Sequence, residues 1–400
     1  MTVTINGTTG ITTPAIDNQG NLTVDGGTIK LDGNYPVGTG NVALGDVALS
    51  SGSLSGGSNT AVGSYNLNSN TTGVSNSAFG YGPMGYNTSG SYNTALGSDA
   101  LKYNTTASNN TAVGYQALYA NTASSNTAVG RQSLFANTTG INNVSVGYQA
   151  SLANTTGQDN VSIGLLAGRG TTTGNYNIAL GTLALGSTSN NGGSNTGIGY
   201  YALSTNTGAN NVAVGRQALE ANTTGINNTA SGKDSLKANT TGNSNTAIGM
   251  NSLAANTTAA DNTALGVSAL AANTTGTNNT GLGRASLSAN TTASYNTAVG
   301  RDALLANTTA SNNTAVGYQA GYSNTTGTQN VAVGTNALRS NITGAYNTGL
   351  GFHAAYATTS DSVTAVGHQS LANNTTGASN TALGKDALVN NTTASNNTAV

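Results

Sequence analysis

Apolar and polar positions alternate along this chain in one recurring phrase of about 17 residues, N-T-A-V-G-x-x-A-L-x-A-N-T-T-G-x-N. The glycine that closes its first part recurs 21 times, from Gly45, Gly63 and Gly80 through Gly367 and Gly384, at spacings of 16 to 18 residues. With each unit numbered from its leading Asn, position 4 is apolar (Leu44, Val62, Phe79, Leu96) with Ser231 as the exception, and position 2 is Thr or a β-branched apolar residue such as Val144, Ile178 or Val212. Side chains alternate along a strand, so positions 2 and 4 share a face. The pattern predicts a short strand with that face inward. Position 3 points the other way and is always small, as at Ala112, Ala128, Ser145 and Gly281. A ban on bulk implies close packing, against a second wall of the coil or a neighbouring chain. Position 9 is mostly Leu behind a small residue, which predicts a second short strand. The expected core is therefore Val113 with Leu118, Val129 with Leu134, and Val299 with Leu304. The N-T-T-G piece, as at residues 137–140, reads as a turn whose Gly supplies positive φ.

A short fixed period over most of a chain is the mark of a repeat architecture in which each unit contacts only its neighbours. Two glycines per unit, with Asn and β-branched residues between them, exclude a helical solenoid. The fold expected is all-β: a parallel β-solenoid or β-roll of about 21 coils of about 17 residues. At about 4.8 Å per coil the rod is roughly 100 Å long. Stacked Asn at positions 1 and 12 should form hydrogen-bonded ladders, as in cross-β assemblies. Length variations belong in the turns. So thin a coil buries little apolar surface, which predicts side-by-side association of chains through the small-residue face. Residues 1–40 have a different texture, with a hairpin signal at residues 22–31 around Asp25-Gly26-Gly27. They read as a β-rich segment that caps or attaches a shaft formed by residues 41–400. Val400 falls just before the expected glycine, so the chain stops in mid-unit and the natural protein is expected to continue.

Composition narrows the classes of function. Charged residues are 6% of the chain and the net charge is −1, which gives no general attraction to nucleic acid or anionic lipid. There is no Cys, hence no disulfide or thiolate metal site. No apolar run is long enough to insert across a membrane, and the opening residues do not read as a secretion signal.

The units differ most at position 6, which holds Tyr115, Arg131, Tyr148, Tyr200, Arg216, Arg284, Arg301 and Tyr318 among others. Tyr and Arg are enriched at recognition surfaces, and aromatic faces suit sugars, so this column is a candidate recognition stripe. A solvated face that keeps the rod soluble accounts for the same pattern. His353 and His368, without adjacent carboxylates, read as surface residues and not as metal ligands. The acids lie in separate coils, so the paired carboxylates of a glycosidase are not indicated. No phosphate loop or Ser-His-Asp set occurs. The expectation is a protein that is not an enzyme and needs no cofactor.

Units such as Asn110-Thr111-Ala112-Val113-Gly114-Tyr115-Gln116-Ala117-Leu118 make residues 41–400 resemble the repeat shafts of phage tail fibres, especially those of marine and cyanobacterial phages. The start, from Thr2 to Ile11, is similar to the virion-proximal start of such fibres. The units are more distantly similar to the heads of trimeric autotransporter adhesins, with YadA-like head repeats. The resemblance implies a left-handed coil and a homotrimeric rod. It also implies a virion location after assembly in the host cytoplasm, attachment to a tail or baseplate protein through the N-terminal segment, and a receptor-binding tip that engages a host glycan or protein. Three other readings stand beside it. They are a bacterial surface adhesin, an ice-binding solenoid built on the regular threonines, and a glycan-degrading tailspike, for which acid pairs are missing.

Overall fold

The chain winds into an all-β solenoid, seen in a computed structural model that describes residues 39–187 and 191–400. Each coil contributes one short strand, from β1 (Val42–Leu44), β2 (Thr60–Val62), β3 (Ser77–Phe79) and β4 (Thr94–Leu96) to β22 (Thr398–Ala399). The strands pair in parallel with those of the coils before and after, in strict register: Val42 lies opposite Thr60, Thr111 opposite Thr127 and Val161 opposite Ile178. One sheet thus runs along the solenoid, and no helix occurs among the described residues. The expected hairpin and most of the 1–40 segment lie outside the described residues. Thr39 already belongs to the stack, since its carbonyl accepts the Ser58 N–H at 2.9 Å.

The faces of the strand are the reverse of the expectation. Position 3 points inward, and Ala112, Ala128, Ser145 and Gly281 are all buried. Val113, Val129 and Val299 at position 4 are only half-buried, on the outer face of the sheet. Leu118, Leu134 and Leu304 are buried in the core as expected. The reason is the width of the coil. A Cβ added to Gly281 would stand 3.0 Å from Ser286 Oγ on the opposite wall and 3.4 Å from Leu270 of the preceding coil. In most coils the interior holds one large side chain, the Leu at position 9, and everything facing it must be small. The second wall of the coil, and not a neighbouring chain, is what excludes bulk at position 3.

The wall that carries Leu118 is a run of turns and not a second strand. Three positions per coil besides the strand-end glycine are left-handed, nearly all held by residues with a side chain: in one coil these are Gln116 at φ 55°, Leu118 at φ 52° and Ser125 at φ 63°. Such conformations cost about 1–2 kcal/mol each for residues with a Cβ. They persist because they aim backbone groups along the rod. Gln116 N–H donates to Ser98 O of the coil before at 3.0 Å, and Leu118 N–H to Ser133 O of the coil after at 3.0 Å. The N-T-T-G glycine does not have positive φ, against expectation. It is small because the coils approach closely there: a Cβ on Gly140 would lie 2.1 Å from Gly157 O.

Two asparagine ladders run through the interior at positions 1 and 12, as the repeat implied. At position 1, Asn245 N–H donates to Asn228 Oδ1 at 2.9 Å, and Asn228 N–H to Asn211 Oδ1 at 3.0 Å. At position 12, Asn256 Nδ2 donates to Asn239 Oδ1 at 2.9 Å, and Asn239 Nδ2 to Asn222 Oδ1 at 2.7 Å. The ladders meet at the turn carbonyl, where Gly242 O accepts from Asn228 Nδ2 at 2.8 Å and from Asn239 Nδ2 at 3.0 Å. Most of the buried amides are thereby satisfied within the protein. Where the sequence replaces the position-12 Asn by Thr171 or Thr358, the Oδ1 of the preceding Asn154 or Asn341 is left without a partner. Coils of 16 residues lose their residue in the turn, as expected: Asn121 and Asn206 reach a carbonyl two residues on, where the other coils bond three residues on.

Candidate recognition surface

Each strand ends at a glycine whose conformation no side chain adopts comfortably. Gly114 has φ 130°, and a Cβ there would lie 2.6 Å from Gly130 O of the next coil. The sharp corner turns the chain out of the sheet and aims position 6 outward. All eight residues of the expected stripe (Tyr115, Arg131, Tyr148, Tyr200, Arg216, Arg284, Arg301 and Tyr318) are exposed. The structure also brings some of them together across coils. Arg131 lies between two rings, 5.9 Å from the Tyr115 centroid and 5.6 Å from that of Tyr148, and Arg301 sits 5.8 Å from Tyr318. Exposed cation–π contacts of this kind contribute about 0.5–1 kcal/mol each. Beside this column, position 7 forms an amide ladder, in which Gln149 Nε2 donates to Gln132 Oε1 at 2.9 Å and Gln132 Nε2 to Gln116 Oε1 at 3.1 Å.

A second column, at positions 10 and 11, was missed by the sequence reading. Tyr86, Tyr103, Tyr119 and Phe135 form a continuous pile over four coils, with centroids 5.1, 5.0 and 5.0 Å apart. Farther along, Arg339 lies between Tyr322 and Tyr356, at 5.1 and 5.8 Å, and donates to Gln319 Oε1 at 3.0 Å and to the Tyr356 hydroxyl at 3.2 Å. The signal was available as aromatics recurring one unit apart after the core Leu. The shift of the ring from position 11 at Tyr103 to position 10 at Tyr119 obscured it.

The titratable groups serve the surface. Lys102 Nζ pairs with Asp99 Oδ1 at 2.9 Å, and that hydrogen bond holds its ammonium above the usual range against the opposing effect of burial. Tyr119 is raised chiefly by its hydrogen bond with Tyr103. Lys237 lies 3.7 Å from both Glu220 and Asp234, so two acids from adjacent coils are tied to one cation. His353 stacks on Phe352 at 4.0 Å and on Tyr356 at 4.7 Å, with its Nε2 3.1 Å from Asn336 Nδ2. Burial, then the charges of His368 and Arg339, push its pKa down. Among the described residues no group of three or more His or acidic side chains is placed to hold a metal ion, and no helix is long and apolar enough to cross a membrane. No protein-family model matches the chain, and no curated protein matches it in sequence.

Proposed function

We infer that this chain is the shaft of a phage tail fibre: a homotrimeric, non-enzymatic rod that holds a receptor-binding tip away from the virion and contacts host-surface glycans along its length. The observation that carries this reading is the outer face of the sheet. Positions 2 and 4 set out a row of exposed apolar side chains at the coil spacing, including Leu96, Ile163, Ile198, Ile248, Leu282 and Leu350. Contiguous apolar surface of that extent calls for a partner. A partner that covers the whole row must repeat with the same spacing, and a second copy of this chain does so by construction. Closed cyclic association lets each copy bury its row against the next. A trimeric bacterial adhesin shares this geometry, and differs in standing on a cell and not on a virion.

The mass of the purified full chain by light scattering tests the assembly. The expected value is three times the 39.2 kDa of one chain, falling toward a single chain in the double variant Val299→Asp, Val316→Asp. A wild-type monomer overturns the reading. Mass spectrometry of purified virions separates fibre from adhesin.

One observation favours a second reading. The position-2 threonines stand on the sheet in register, Thr246 opposite Thr263 and Thr263 opposite Thr280, and not in the turns alone. A flat rank of Thr beside apolar residues is the surface an ice-binding solenoid needs. Thermal hysteresis measured on the purified chain decides it: a freezing-point gap supports ice binding, and its absence removes it.

A further inference from the structure

One coil carries glycine where its neighbours carry large side chains. At position 7, Gly82 lies between Tyr65 of the coil before and Asp99 of the coil after. At position 10, Gly85 lies between Asn68 and Lys102. Backbone geometry does not demand Gly82, since it is left-handed at φ 71° and Gln116 stands at the same position with φ 55°. What the two glycines do is remove bulk. A Cβ on Gly82 would lie 3.4 Å from Asp99 Oδ1, and one on Gly85 would lie 3.4 Å from Asn68 Oδ1. The missing side chains leave a notch one coil wide, with Asn68 on one side and, on the other, the Asp99 carboxylate, whose Oδ1 is buried and held by Lys102 at 2.9 Å. Tyr81 and Tyr86, both exposed, line the same notch, which has a volume of about 250 Å³. The Asp99–Lys102 ion pair makes one wall polar without net charge.

We propose that this notch binds one neutral hexopyranose. An exposed tyrosine ring offers an apolar face to the C–H side of a sugar. Asn68 Oδ1 and the Asp99 carboxylate oxygen that Lys102 does not hold accept hydrogen bonds from its hydroxyls, and Lys102 donates to a ring or hydroxyl oxygen. The closed ion pair gives a uronic acid or an amino sugar no free counter-charge. Lining groups are held in place beforehand: Tyr65 packs edge-on against Tyr81 at 5.6 Å, and Tyr86 stacks on Tyr103 at 5.1 Å. Side chains already ordered lose little entropy on binding. The notch gives a location to the glycan contact proposed above and rests on that reading for its use in host recognition, though not for its chemistry.

Saturation-transfer NMR on the full chain, with the methyl α-glycosides of glucose, galactose and mannose as probes, tests the site. At least one hexoside is expected to receive saturation from tyrosine protons, and glucuronic acid and glucosamine much less. Gly82→Gln and Gly85→Glu each fill the notch with residues that other coils carry at these positions, as at Gln116 and Glu220, so both variants retain the fold. Each is expected to weaken binding at least tenfold. Asp99→Asn, which leaves the notch open, is expected to weaken it less. Wild-type protein that takes up none of the three hexosides overturns the proposal, as do filled variants that bind as well as wild type. Equal binding of glucuronic acid overturns the assignment to neutral sugars. Polysaccharide from a host surface, added as a competitor, distinguishes a terminal glycan residue from a free sugar. Oligomeric state and virion content are read in separate assays, so a failure of sugar binding is distinguishable from a failure of the shaft reading.

Discussion

The inside and the outside of this rod follow different rules, although they alternate along the same three-residue strands. Inside, most coils repeat one Leu, small residues facing it and two Asn in ladders. Outside, positions 6, 7 and 10 change from coil to coil, through Tyr, Arg, Gln, Lys, Asp and Gly. Interior side chains meet the next coil at fixed spacing, so a change in one coil leaves a void or an orphaned amide in its neighbour. Exterior side chains meet their neighbours only through stacking and surface ion pairs, whose loss costs little. Such a rod varies its surface chemistry locally without disturbing its backbone, and the notch around Gly82 and Gly85 is an instance.

Substitutions can break that contrast, and the largest effect is expected at the buried Leu. Leu253→Ala should destabilise its coil by about 2–5 kcal/mol through lost burial and the void left behind. Because each unit depends on its neighbours alone, hydrogen exchange should lose protection around residues 236–270 first. A uniform loss along the rod would show that the coils act as one cooperative block. Next comes Asn239→Ala, which strands Asn222 Oδ1, leaves Asn256 Nδ2 with Ala259 O alone and leaves Gly242 O with Asn228 alone. A cost of about 1–3 kcal/mol is expected, measured by denaturant unfolding. Asn239→Thr should cost less, because the chain already carries Thr171 and Thr358 at this position. On the outer face, Val299→Thr should change single-chain stability by no more than about 0.5 kcal/mol. A larger effect in a monomeric sample would place position 4 in the core after all.

The smallest expected signal is a pH effect at His353. Its pKa is lowered in the folded chain, so the unfolded chain binds more protons, and stability rises with pH through this range. The contribution is fully present above the unfolded value of about 6.5 and is lost as pH falls through the folded value. Proton NMR titration should place the His353 midpoint below 6.5, and His353→Gln should flatten the acid side of the stability profile. A midpoint above 6.5 would reverse the sign.

Much of the architecture could be read without coordinates. The 17-residue period implied stacked coils, Asn at positions 1 and 12 implied ladders, and unequal coil lengths were correctly assigned to the turns. Which face of T-A-V points inward could not be read the same way. A period of two assigns residues to two faces but does not say which face is the core. With Ala on one side and Val on the other, the larger side chain was the natural choice, and it was the wrong one. In a wide interior Val113 and Val129 would have filled the space. Here the turn wall stands so close that only Ala112 and Ala128 fit opposite it.

The sequence alone determined the period, the parallel stacking and the polar ladders, because each follows from identical residues falling opposite one another at every repeat. Tertiary structure decided the distance between the two walls of a coil, and with it the inward face of the strand. It also decided the left-handed turns that replace a second strand, and the surface rings that stack from neighbouring positions of adjacent coils. Those depend on how the backbone closes across a coil, a distance no single residue encodes.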